Sequence, residues 1–588
     1  MVKTETKDDY SYIVVPTVIC LLAVALFFIY KYFGVYFSSN DDLLIRSILS
    51  GDYTGRPDGH VVYLLYPLGF ILKSLYTVAP KVTWYELFCI GAQGLCIIII
   101  ASLLAESAAS TSQKTVNKKR LYFSLFISSF LFVEILLCFD VGFLIAGQYT
   151  VLAGLVAATA FACMLAKKDI MAAVMMVLSL WIRKEAFFMM LPFIAIAIIY
   201  RLMTAYETGK KAADNKSFFS AKKIIIAAVI VVISCGSLLI NKVAYGSEEW
   251  NQYREFNRER TRVYDYNLFP NYSQEKEFYD LAGISEDEYS ALVEYDLELV
   301  DKAYTKLFRD MADRQKAILD DWKQYYNVFH KLIKDSLQFF KENLKTVHAK
   351  MALFSILISF IVMIILVVKE KSFSGLIALI LMAAYYVAFV ALFTYLGRLP
   401  ERVIYGLDCA MMLGGIYLTA ATLNKLSIDK KLMVISASAV LMLVPLFFEI
   451  RYEFNASTQY RKAAEAGIKI EEYVASREGE VFYIDTNIFE NRIASAEPVY
   501  TEGKTYMYEP IGYVKMADWV YGSPLRSQKL ESLGTKGLYD ANTKRQGYLI
   551  ISDKISTEFI LRLLDEKGFT AIKTDSIESA SVWKLQVK

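Results

Sequence analysis

Cysteine, histidine and glycine-rich phosphate motifs are what this chain has least of, and each shortage removes a class of function. Its cysteines, Cys20, Cys89, Cys96, Cys138, Cys163, Cys235 and Cys409, all fall in apolar runs and none lies in a long polar loop. A disulfide framework in the polar segments is therefore not expected. The three histidines, His60, His330 and His348, are scattered and have no cysteine near them, which argues against a His/Cys zinc site. No Walker-type loop, no GxGxxG fingerprint and no DxD pair at a predicted strand end is present, so ATP and nucleotide-sugar donors fit poorly. Charge is also short of a surplus: 64 Lys and Arg against 61 Asp and Glu leave +3, giving no reason to expect nucleic acid or a strongly acidic partner.

What the chain has in abundance is apolar length. Hydrophobic residues make up 55% of 588 and mean hydropathy is +0.35, too apolar for an ordinary soluble protein of this size. Stretches long enough for a hydrocarbon core of roughly 30 Å run at 12–33, 85–106, 121–139, 149–166, 223–241, 351–368, 374–395, 403–423 and 431–449. The first exceeds a signal-peptide core and is followed by no small-residue cleavage site, so a retained span is expected. Residues 169–200 read as two apolar pieces meeting at Arg183, Lys184 and Glu185, a helix pair with a polar apex. Residues 61–78 are interrupted by Pro67, Gly69 and Lys73 and are expected to lie on the membrane surface.

Charge placement supports that arrangement. With 61–78 on the surface, the loops at 107–120, 167–168, 201–223, 369–371 and 424–431 share one side and hold seventeen Lys and Arg, whereas 34–83 and 396–402 hold six. The positive-inside rule then puts the N-terminus in the cytoplasm and three polar segments outside: 34–83, the insert 242–348 and the tail. Within the insert, Ser285 and Glu288 have capping-box spacing. The tail alternates strand-like runs (Val481–Ile484, Tyr548–Ser552) with helical ones (458–475, 556–567). The expected fold class is thus an all-α polytopic membrane core of about eleven transmembrane helices, residues 1–450, plus a small C-terminal extracytoplasmic α/β domain, residues 451–588.

Candidate chemistry clusters on the outer side. Asp41 and Asp42 stand where the first span leaves the bilayer, as a general base for a sugar acceptor must; the same pair also suits the N-terminus of the next helix. Arg56, Asp58 and His60 lie in a turn-rich stretch suited to binding hydroxyls, or to a plain solvated turn. At the apex WIRKEAF (181–187), ionisable groups cost roughly 2.5–3.5 kcal/mol each at the bilayer centre. Arg183 and Lys184 therefore line a cavity, where a phosphate is a natural partner, or snorkel to the headgroups. Arg398 and Arg402, in the short turn GRLPERV (397–403), form a second phosphate clamp or an interfacial anchor. EWNQYREFNRERTRVYDY (249–266) offers Trp250, Tyr253 and Tyr266 as stacking faces and Arg258, Arg260 and Asp265 for hydroxyls or phosphate. Aromatic-belt duty is the alternative. Glu134, inside the third span, is read as structural, and Asp140 and Gln148 in the loop after it are further polar positions.

The acidic pair after the first helix, the surface segment 61–78, and the stretches NDDLLIRSILSG (40–51), 249–266 and 397–403 together resemble the GT-C class of integral membrane glycosyltransferases, in its bacterial multipass branch. The likeness is one of layout and covers about 12–450. It implies a sugar donor linked to polyprenyl phosphate, Asp42 or Asp41 as base, and Arg183, Lys184, Arg398 or Arg402 on the carrier phosphate. Arg56, Asp58, His60, Trp250, Arg258 and Asp265 are then left for acceptor and sugar. Some members use a divalent cation (Mg or Mn); no metal ligand is assigned here. The implied reaction is inverting transfer to a cell-surface glycan or glycolipid at a bacterial plasma membrane. A polymerase or ligase using lipid-pyrophosphate oligosaccharide, and a lipid-linked glycan flippase, are the rivals.

Overall fold

The computed structural model describes residues 8–588 apart from 39, 110–117, 208–220, 267, 302, 326–327, 344, 371–372, 397–398, 424–426, 487, 489–511, 541–544 and 554. Helices α1 (Asp8–Tyr32), α2 (Asn40–Ser50), α3 (Tyr66–Val78), α4 (Trp84–Ala109), α5 (Lys118–Ile145), α6 (Tyr149–Leu165), α7 (Asp169–Ile182), α8 (Lys184–Glu207) and α9 (Ala221–Ala244) form the first half. The insert supplies α10 (Glu248–Tyr264), α11 (Lys276–Ala282), α12 (Glu286–Val293), α13 (Thr305–Tyr325) and α14 (Val328–Asn343), and α15 (Val347–Glu370), α16 (Ser374–Tyr395), α17 (Glu401–Leu423) and α18 (Ile428–Ala475) follow. Eight of these helices are long and apolar enough to cross a membrane, and three shorter apolar ones (Tyr149–Leu165, Asp169–Ile182, Ala349–Ile365) accompany them. Together they are the apolar segments the sequence marks out. Helix α3 has 13 residues, about 20 Å at 1.5 Å per residue, too short for a span.

Local chemistry explains several boundaries. Ser285 caps α12 with the reciprocal Glu288 bond its spacing predicts. Gln148 caps α6 by accepting from the Val151 N–H at 3.0 Å. Between α7 and α8, Arg183 is extended (φ −158°, ψ 112°), and Arg201 Nη1 lies 2.6 Å from Asp169 Oδ1, so the two helices double back as a hairpin. Glycine lets α6 and α17 meet backbone to backbone: a Cβ on Gly154 would lie 2.9 Å from Gly406 Cα.

These contacts sort the loops onto two ends of the bundle. At one end β1 (Tyr36–Phe37) pairs in parallel with β2 (Ala146–Gly147), and Asp42, Tyr149 and Arg183 come together. At the other end Arg201 meets Asp169, Arg120 meets Asp429 and Glu207 accepts from the backbone N–H groups of Phe373 and Ser374.

Helix α18 runs from the bundle to Ala475, with Pro445 inside it, and leads into the C-terminal sheet. That sheet comprises β3 (Glu480–Ile484), β4 (Tyr513–Lys515), β5 (Gln546–Ser552), β6 (Phe569–Ile577) and β7 (Ala580–Val587), with helices α19 (Pro524–Ser532) and α20 (Thr557–Glu566). Strand order is β4-β3-β5-β7-β6, parallel among β4, β3 and β5 and antiparallel at β7 and β6. One face packs on Ile470 and Val474 of α18. The opposite face shares a single core with the insert, where Val481, Val514 and Leu549 join Phe256, Leu292 and Phe308. Insert and tail therefore fold as one body at the end of the bundle that carries Asp41 and Asp42.

Candidate functional site

Neighbouring residues on a helix point about 100° apart, and in the first turn of α2 that separates the two acids. Asp42 faces the protein: it is fully buried, and its Oδ1 accepts from Tyr85 Oη at 2.7 Å and from the Tyr149 N–H at 3.0 Å. It ties α2 to α4 and to the start of α6. Asp41 keeps 15% exposure, and its Oδ2 lies 3.6 Å from Arg402 Nη1. Burial lifts the Asp41 carboxyl above its ordinary range, Arg402, Arg183 and Lys515 pull it back, and Asp265 pushes it up. Four segments distant in sequence thus act on one carboxylate.

Arg183 reaches this group from the break between α7 and α8. Its Nη1 donates to Tyr149 Oη at 2.5 Å and to Thr150 Oγ1 at 2.7 Å, and the guanidinium lies 5.2 Å from the Tyr149 ring centre. Tyr63 stacks on Tyr149 at 5.5 Å and meets Trp519 at 5.0 Å. Lys184 points away, 57% exposed and 3.8 Å from Glu185. Arg398 lies outside the described residues.

The acceptor-side candidates divide. Arg56 donates to Gln528 Oε1 at 3.1 Å, joining the first loop to α19. His60 Nδ1 is 2.6 Å from Asp58 Oδ1, its Nε2 is 3.2 Å from the Ala244 carbonyl, and its ring stacks on Trp250 at 5.3 Å. Trp250 is buried and has Tyr245 on another side, so Asp58, His60 and Trp250 weld the loop to the insert. Arg258 is largely exposed and pairs with Glu259 at 2.7 Å. Asp265 caps the end of α10 and acts electrostatically on Asp41. Arg260 and Tyr253 are buried and bond the carbonyls of Asp518 and Trp519. Asp140 accepts from Gln93 and Tyr405, and Glu134 is buried with no hydrogen bond among the described residues. Among the described residues no three His, Cys, Asp or Glu converge as a metal donor set.

Sequence reasoning missed Tyr63, Tyr149, Lys515, Asp518 and Trp519. Tyr149 carried a signal, since it opens a span directly after a polar loop. Lys515 and Trp519 carried none, being more than 450 residues from Asp41.

A groove of 1830 Å³ runs between α5, α15, α17 and α18, walled by apolar side chains such as Leu131, Ile135, Phe354, Ile358, Met412 and Val434. Polar residues gather in its lining as well: Ser38, Gln148, Lys345, Lys350, Glu401 and Arg402. Glu449 and Glu453 of α18 also line it. Arg402 therefore belongs both to this groove and to the Asp41 pair.

No family model matches the chain and no curated protein matches it. Two solved structures are similar along its whole length. ArnT from Cupriavidus metallidurans bound to undecaprenyl phosphate shares 12% identity over 98% of each chain, with a TM-score of 0.37. The same protein in the apo state shares 11% identity over 97% of each chain, with a TM-score of 0.38. At that identity and superposition the likeness reaches neither activity nor site residues.

Proposed function

We propose that this chain is a membrane glycosyltransferase of the GT-C class, moving a sugar from a polyprenyl-phosphate carrier to a hydroxyl of a glycan or glycolipid. The observation that carries the reading is a long apolar groove between membrane-crossing helices whose lining includes Arg402, a residue 3.6 Å from the carboxylate of Asp41. A prenyl chain suits the apolar walls, and arginine matches the phosphate oxygens. The concentration of Lys and Arg in the loops of the other end supports an outward-facing Asp41 end, as the reading requires.

In this mechanism Asp41, rather than Asp42, is the base. Asp42 already has two donors on one oxygen and no exposure. The acceptor oxygen attacks the anomeric carbon while its proton passes to Asp41. The bond from that carbon to the phosphate oxygen breaks, its electron pair leaves with the phosphate, and configuration inverts. Arg402 and Arg183 stabilise the charge growing on the departing phosphate. Arg183 holds Tyr149 and Thr150 hydroxyls in the structure, so it turns to phosphate only as donor enters.

The test is purified full-length protein in lipid nanodiscs, given labelled sugar on polyprenyl phosphate. Label moves to acceptor and polyprenyl phosphate is released, and Arg402→Ala weakens donor binding at least tenfold. Donor binding unaltered in Arg402→Ala overturns the assignment of the groove.

A further inference from the structure

Helix α12 ends at Val293, and the chain leaves it through Tyr295, whose backbone is left-handed (φ 62°). The Tyr295 N–H donates to the Leu292 carbonyl at 3.1 Å and the Asp296 N–H to the Ala291 carbonyl at 2.8 Å, the bond pair of a Schellman motif. Glycine is the usual residue at that left-handed position. Here a tyrosine is held in it, its ring against Tyr264 at 4.6 Å and its hydroxyl on Arg260. The turn delivers Asp296, which is fully buried, to the carbonyl end of α12, where the helix dipole opposes a negative charge.

The tail meets this carboxyl with a second one. Asp485, also fully buried, follows β3 and accepts from the Ser552 N–H at 3.0 Å. Next to it, Thr486 donates its N–H to Asp296 Oδ1 at 3.1 Å. The Thr486 hydroxyl donates to the Ala517 carbonyl at 3.1 Å and accepts from the Ala517 N–H at 2.9 Å, so Thr486 ties Asp296 to the segment that carries Asp518 and Trp519. Two residues beyond Asp296, the Glu298 N–H donates to the Met516 carbonyl at 3.0 Å. Two carboxylates in one buried interface oppose each other's ionisation. Burial first, then Asp485 and Glu294, push the Asp296 carboxyl well above its ordinary range, and hydrogen bonds from Thr486 oppose them only in part. Tyr264 of α10 faces it as well, with Arg260 acting on the same tyrosine.

We infer that Asp296 is a proton-dependent latch between insert and tail: uncharged, it closes the joint through Thr486, and ionised against Asp485 it loosens the joint and the segment that seats Trp519 on Tyr63. Asp296 keeps its proton in the closed joint and gives it up when the joint opens. A carboxyl raised in the folded state contributes fully below its ordinary value and loses that contribution as pH rises through the raised one. The joint is therefore tight in acid and loosens toward alkaline pH. No step of this requires sugar transfer, so the latch stands or falls apart from the transferase reading.

Hydrogen exchange in full-length protein in nanodiscs tests it, read at residues 296–300 and 480–486 from pH 5 to 9 and corrected for the base dependence of exchange itself. In the wild type, opening of both segments rises toward tenfold per pH unit and levels off once Asp296 ionises in the closed joint. Asp296→Asn keeps the shape and an acceptor for the Thr486 N–H but cannot ionise, and its opening is flat over the same range. Asp485→Asn leaves an oxygen for the Ser552 N–H while removing the facing charge, so the rise is smaller and levels off at lower pH. A total wild-type rise below about tenfold, or a rise in Asp296→Asn or in Asp485→Asn equal to that of the wild type, overturns the latch.

Discussion

Asparagine at position 41 keeps the size of the side chain and removes its charge, which separates catalysis from stability. A general base is worth about 10²–10⁴ in rate, or about 3–5 kcal/mol of barrier, so Asp41→Asn lowers kcat by that factor. Stability moves the other way. The folded-state carboxyl is raised above its ordinary 3.8, chiefly by burial. Its stabilising contribution is therefore complete below the unfolded value and is lost as pH rises through the folded one, leaving the ionised group a net cost at pH 7. The contact with Arg402, whose side chain is 35% exposed, returns at most about 1 kcal/mol. Asp41→Asn thus raises Tm at pH 7 while sugar transfer collapses, and the acid limb of the wild-type rate profile, centred above 3.8, disappears. Transfer assays and thermal unfolding in the same nanodiscs read both. A kcat within tenfold of wild type refutes the base; a fall in Tm beside lost activity refutes the separation of roles.

Asp42→Ala has the opposite signature: it strips the acceptor from two buried donors, Tyr85 Oη and the Tyr149 N–H, at about 1–3 kcal/mol each, and Tm drops. Stability equal to wild type would show that Asp42 does not hold α2 to α6. Within the groove, Ile358→Trp and Val362→Trp fill space lined by those residues and raise donor KM about tenfold with acceptor KM unchanged; equal donor KM in both would mean the prenyl chain lies elsewhere. Trp250→Ala removes a buried ring stacked on His60 and costs about 3–5 kcal/mol, seen as a lower unfolding midpoint with both KM values preserved. A change confined to acceptor KM would restore Trp250 to sugar binding.

Apolar runs, turn chemistry and charge asymmetry are local properties, and they were readable along the chain. The helical segments, the break at Arg183, the capping box at Ser285 and the short helix Tyr66–Val78 all follow from composition and spacing. So did the place of the acidic pair, just beyond the end of the first apolar helix. Which acid faces outward was not readable, because one step of 100° around a helix has meaning only once Tyr85 and the start of α6 are in place to receive the other. Trp250 shows the converse: an aromatic in a polar segment looks available for stacking until His60 covers it. The partnership of the insert with the tail, and the arrival of Lys515 near Asp41, depend on a shared apolar core built from segments about 200 residues apart. Sequence alone determined the apolar helices and the end of the bundle where the candidate residues gather. Tertiary packing decided which side chains meet there, because burial and electrostatic contact are properties of surfaces brought together, not of spacing along a chain.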